Sequence, residues 1–134
     1  MSRDIANTIE AIENVFWGEP EFPSSLIIKC HSLRKKDLDL FEIEDYRLLV
    51  GQNIGLEIIM PRAMIILRRD LFAEGHFYKG DLLKVVLTSD QTYWNNHPDT
   101  RQEIISLFKQ NVSTLKTLFA AKDIQLAFQA FSNS

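Results

Sequence analysis

Residues Leu48 to Tyr78 read LLVGQNIGLEIIMPRAMIILRRDLFAEGHFY, and KGDLLKVVL follows directly. The stretch is very apolar and is broken by glycines and a proline, and what it offers chemically is packing rather than catalysis. Gln52, Asn53, Glu57, Pro61 and Arg62 interrupt it. A membrane span needs ~20 predominantly apolar residues, so this many polar groups mark a core helix instead. Proline is tolerated in a helix's first turn and costs ~3 kcal/mol or more further in. The helix is therefore expected to begin near Glu57–Met60, or to kink at Pro61, and to run to about Arg69. Gly51-Gln-Asn-Ile-Gly55 lacks the Lys-Ser/Thr of a phosphate loop. It reads as a helix C-terminus, with Gln52 and Asn53 bonding free backbone groups. Gly75 and Gly80 punctuate AEGHFYKGD as a turn. Asp81 is read as capping the next helix, with Phe77 and Tyr78 plugging the core.

The same logic extends outward. Ile5, Ile9, Ile12 and Phe16 form one apolar face of a helix over Asp4–Phe16, ended by Gly18 and Pro20. Ser24 or Ser25 caps a second helix to about Lys36, with Leu26, Ile27, Cys30 and Leu33 inward. Phe41 to Asn53 reads as a third, its first-turn acids facing the positive end of the helix dipole. Thr92–Trp94 reads as a single turn. Pro98 suits the first position of an amphipathic helix of about six turns, carrying Ile104, Ile105, Phe108, Val112, Leu115, Leu118 and Phe119. In KDIQLAFQAF, the residues Ile124, Leu126 and Phe128 alternate as in a strand, but with helices elsewhere the helix is favoured. The expected fold is an all-α, single-domain bundle of about seven helices.

With 134 residues, 46% of them hydrophobic and 25% charged, the chain is of ordinary globular composition. Its one cysteine excludes an internal disulfide. The N-terminus lacks the apolar run of a signal peptide, so a soluble, cytoplasmic protein is expected. The net charge is only −3, but it is unevenly spread. Five acids and no base lie between Asp4 and Glu21. Asp37, Asp39, Glu42, Glu44 and Asp45 form a second block, after Arg34-Lys35-Lys36. Acidic blocks repel nucleic acid and attract basic partners, so direct nucleic-acid binding is disfavoured.

No catalytic or metal-binding set is expected, and no cofactor. Cys30 and His31 are adjacent on a helix and point ~100° apart, which is poor geometry for sharing a metal. Glu74, His76 and Asp81 form the most enzyme-like cluster, yet a turn between helices explains the same residues. Trp17, beside Glu19 and Glu21, reads either as core edge or as an exposed interface anchor. The acids from Asp37 to Asp45 read either as a charged helix start or as a docking patch.

LLVGQNIGLEIIMPRAM, LFAEGHFYKGDLLKVVL and the upstream PSSLIIKCHSLRKKDLDLFEIEDYRLL together resemble the immunity proteins of bacterial contact-dependent growth inhibition systems. The resemblance spans about Pro23 to Leu87 and departs from the family pattern at His76 and Lys79. It implies a small non-enzymatic antitoxin that binds a cognate toxin domain, commonly a nuclease, at its active site or an adjacent exosite. It also implies that Gly51, Gln52, Asn53, Gly55, Tyr78, Gly80 and Asp81 are scaffold. The acidic surface fits a basic nuclease. Asp37, Asp39, Glu42, Glu44 and Asp45 are therefore the expected toxin contacts, with Trp17, Glu19 and Glu21 second, on a free monomer or small oligomer. A helical adaptor unrelated to toxins is the alternative.

Overall fold

The computed structural model describes residues 6–20 and 24–133. Among them it contains helices α1 (Ile9–Glu13), α2 (Ser25–Lys35), α3 (Ile43–Gly51), α4 (Leu56–Arg69), α5 (Asp81–Leu87), α6 (Gln91–Asn96), α7 (Pro98–Gln110), α8 (Val112–Leu115) and α9 (Ala121–Asn133). A 3-10 turn, Leu38–Leu40, precedes α3. No strand forms among the described residues, and no helix there is long and apolar enough to cross a membrane. The all-α expectation holds. The helices exceed the seven expected because Thr92–Trp94 belongs to a true helix, α6, and because the long segment after Pro98 divides.

The centre of the bundle is α3, which packs on α2, α4 and α5, while α5 also packs on α9. Helix α4 buries Ile59, Met60, Ala63, Met64 and Leu67, one stripe at helical spacing. It starts at Leu56, one residue earlier than expected, with Gly55 before it in the left-handed region (φ 65°). Pro61 therefore lies in the second turn, where its missing N–H falls on an exposed side of the helix. The preceding helix ends in a Schellman motif. Ile54 N–H donates to Leu49 O at 2.9 Å and Asn53 N–H to Val50 O at 3.0 Å, with Asn53 left-handed at φ 57°. Asparagine takes the position more often held by glycine. Its side-chain oxygen also accepts from Asp90 N–H at 2.8 Å, tying the end of α3 to the start of α6.

Several expected helix bounds shift for local reasons. Helix α7 stops at Gln110 because Asn111 turns its amide back on Leu107 O at 2.7 Å, a side-chain bond that competes with helix continuation. Phe119, expected on the apolar face of that helix, is consequently 98% exposed. Thr8 caps α1, which ends at Glu13 with Asn14 left-handed, so Phe16 lies beyond the helix and is exposed. Ile5 and Asp4 fall outside the described residues. Ser24 caps α2, but Leu26 and Ile27 face solvent, leaving Cys30 and Leu33 as its apolar core residues. Burial pushes the Cys30 thiol above its ordinary range. The last segment is a helix, burying Ile124, Ala127, Phe128 and Phe131 at helical spacing and exposing Leu126. Phe128 stacks on Phe108 at 3.7 Å between centroids, and Trp94 meets Phe131 edge-on at 5.2 Å while donating to Ser89 Oγ.

Gly80, at φ 92°, joins the central loop to α5 where a Cβ would lie 2.5 Å from Ile124 Cδ1. Gly80→Ala is expected to lose about 1–3 kcal/mol from the left-handed backbone alone, read as a lower urea midpoint.

Candidate functional site

The loop from Glu74 to Gly80 is built around two carboxylates. Asp81, buried at the start of α5, accepts from Gly75 N–H at 2.7 Å, Phe77 N–H at 3.0 Å and Tyr78 N–H at 3.4 Å. It therefore reaches back to hold the loop rather than forward to cap α5, as the sequence had led us to expect. Glu44, from the first turn of α3, accepts from His76 N–H at 2.9 Å. Its other bonds come from Arg47, bidentate at 2.7 and 2.6 Å. Arg47 in turn lies 4.4 Å from the Phe77 ring centroid. Phe77 is not a core plug: it is two-thirds exposed, resting on that guanidinium, while Tyr78 is half-buried against the core. Gly75 suits this close approach, because a Cβ there would meet Glu44 Oε1 at 2.6 Å.

These bonds decide the question of catalysis by Glu74, His76 and Asp81. Asp81 spends its carboxylate on backbone donors, His76 projects into solvent, and Glu74 is exposed beside an isolated bridge to Lys79. The three do not converge on a reacting position. Among the described residues, no group of three or more His, Cys, Asp or Glu side chains is placed to hold a metal ion.

The acids from Asp37 to Asp45 divide into two sets. Asp45 is buried, pairs with Lys36 Nζ at 2.7 Å and accepts from Glu42 N–H at 3.0 Å, half of a capping box. Glu44 is committed to the loop. Asp37, Asp39 and Glu42 face solvent. Asp37 accepts from Asp39 N–H at 2.8 Å and from the Asn7 amide at 3.0 Å, which fixes the 3-10 turn. Asp39 pairs with Arg62 of α4 at 3.2 Å. The structure thus leaves Asp37, Asp39 and Glu42 exposed along one turn and helix start, ties Asp45 into that helix start and turns Glu44 to the loop.

Trp17 is half-buried. Arg34 covers its ring at 4.4 Å and His31 meets it edge-on at 4.9 Å. Arg34 is itself buried, bonding Glu13 at 2.6 Å and the Val15 carbonyl, so Trp17 helps fasten residues 13–17 onto α2. Glu19 is exposed and lines a groove of about 360 Å³ with Ile28, His31 and Lys35. Glu21 lies outside the described residues. The bases of Arg34-Lys35-Lys36 therefore serve three separate places: an internal pair, that groove, and Asp45.

A family model described as CDI immunity proteins matches residues 11–104. The chain belongs to that family. No curated protein and no solved structure matches it.

The hydrogen bonds from Arg47 hold the Glu44 carboxyl below its ordinary range; burial opposes this and the His76 N–H assists it. A lowered folded value means that the contribution is complete above the unfolded carboxyl value of about 4.3 and is lost as pH falls through the folded one. Glu44→Gln is therefore expected to flatten the acid limb of stability, measured as urea midpoints between about pH 5 and 2.5. Asp81→Ala leaves backbone donors unpaired, at about 1–3 kcal/mol for each one buried. It should also raise amide exchange at Gly75, Phe77 and Tyr78 selectively.

Proposed function

We propose that this CDI immunity protein neutralises a cognate nuclease toxin by one-to-one binding, without catalysis, and that Asp37, Asp39 and Glu42 make the charged contact. The observation that supports this reading is the division of the acids: Glu44 and Asp45 are tied inward while the other three are held facing out on a braced helix start. A nuclease must be basic where it receives phosphates. Carboxylates already held facing outward compete for those cations at a small reorganisation cost. Such pairing governs encounter rate and partner choice more than total affinity. In this reading Asp45 braces the contact edge through Glu42 N–H, and Glu44 holds the neighbouring loop. Trp17 serves as an internal fastening, and Glu19 as a separate exposed acid.

The test is binding to the purified toxin domain encoded beside this gene. Asp37→Asn, Asp39→Asn and Glu42→Gln combined removes the charge but keeps an oxygen at each turn position. Association at low salt is expected to slow at least tenfold, and its dependence on ionic strength to flatten. Unchanged rate and salt dependence would place the contact elsewhere.

A further inference from the structure

Beside the acidic edge lies a groove of about 290 Å³, lined by Leu38, Asp39, Phe41, Tyr46, Arg62 and Ile65, with Ile66 completing its wall. The groove is shallow, and its base is apolar: Leu38 and Tyr46 are buried, and Phe41 packs against Tyr46 at 5.2 Å between centroids. Ile65, on its α4 wall, is 50% exposed, and Leu40, between the lining residues Asp39 and Phe41, is 67% exposed. Ile65 thus presents an aliphatic side chain to water on the wall of a groove large enough for one side chain of a partner, and Leu40 is exposed on the adjoining turn. Removing such side chains from water favours binding. Asp39 and Arg62 both line the groove, and their 3.2 Å ion pair links the turn to α4.

Asp39 and Arg62 line the groove as a pair, and Asp37 and Glu42, exposed in the adjoining turn and helix start, add two carboxylates beside it among the described residues. Lys36 is already spent on buried Asp45, and among the described residues Arg62 is the one cation that lines the groove. An apolar floor with a charged rim is the arrangement of an interface centre.

We propose that this groove receives an apolar side chain of the toxin, with a neighbouring toxin lysine or arginine taking Asp39 from Arg62. The proposal rests on the immunity reading above and names the form of the partner segment: an apolar anchor next to a cation. In it, the groove sets the lifetime of the complex and the acidic edge sets the encounter rate. The exchange at Asp39 leaves Arg62 free to swing to solvent, so the partner cation meets an acid that is already facing outward.

The experiment measures association and dissociation of the full chain with the purified toxin domain from the same locus. Leu40→Ala with Ile65→Ala is expected to speed dissociation at least tenfold while leaving the salt dependence of association unchanged. Ile65→Arg is expected to abolish binding, and Arg62→Ala to bind as well as the wild type or more tightly. Thermal unfolding of each variant separates a lost fold from a lost contact, because all of these positions are at least partly exposed. If the wild type binds and the double alanine variant loses less than tenfold, the groove assignment is overturned while the immunity reading stands. Weaker binding by Arg62→Ala overturns the exchange at Asp39. A wild-type chain that does not bind the toxin domain overturns both readings. A free wild-type dimer that Ile65→Arg disperses would show that a second copy of this chain fills the groove, and would overturn the proposal.

Discussion

A buried carboxylate is expensive, and Asp81 meets that cost with backbone N–H groups as its hydrogen-bond partners, while Arg47 acts on its charge through space. Burial is tolerable because several donors converge on it, each stronger for acting on a charge. That convergence fixes the path of residues 75–78. It sets the start of α5 against the loop, and α5 is the helix that joins α3 to α9. Glu44 performs the complementary task from α3, so two helices that pack on each other hold the same short loop from two sides. A Cβ at Gly75 would push on the Glu44 and Asp81 carboxylates that hold the loop. Glycine suits this position, which has no positive φ, by leaving both carboxylates on their donors.

Much of the architecture was legible because helical periodicity is a local property. Ile104 and Phe108 on the apolar face of α7, and the proline at its start, could be read directly. What misled were residues whose role depends on a distant partner. Asp81 looked like a forward cap because its sequence neighbours permit one; its donors lie three to six residues upstream. Asn111 stops α7 by a bond to a carbonyl that any continuing helix would also offer, so the apolar pattern ran on where the backbone did not. The alternation Ile124, Leu126, Phe128 resembled a strand only because Leu126 happens to be apolar on an exposed face.

The acidic stretch shows the same limit at the candidate site. Its five members are equivalent in composition, and burial alone separates them. Lys36 draws Asp45 inward, and Arg47 with the His76 N–H draws in Glu44. The spacing of Glu42 and Asp45 at a helix start carried a trace of this, since it matches half of a capping box. The groove beneath Asp39 carried none, because its walls come from the 3-10 turn, α3 and α4.

The division of labour among these acids has an evolutionary consequence. Exposed surface positions away from caps and buried networks usually tolerate exchange within about ±0.5 kcal/mol. Asp39, Leu40 and Ile65 meet that description, while Glu44, Asp45 and Asp81 carry the fold. The outer face can therefore change its charge and shape while the inner carboxylates keep the backbone in place. Such a scaffold can follow a changing partner through single substitutions, each one folding as well as the last.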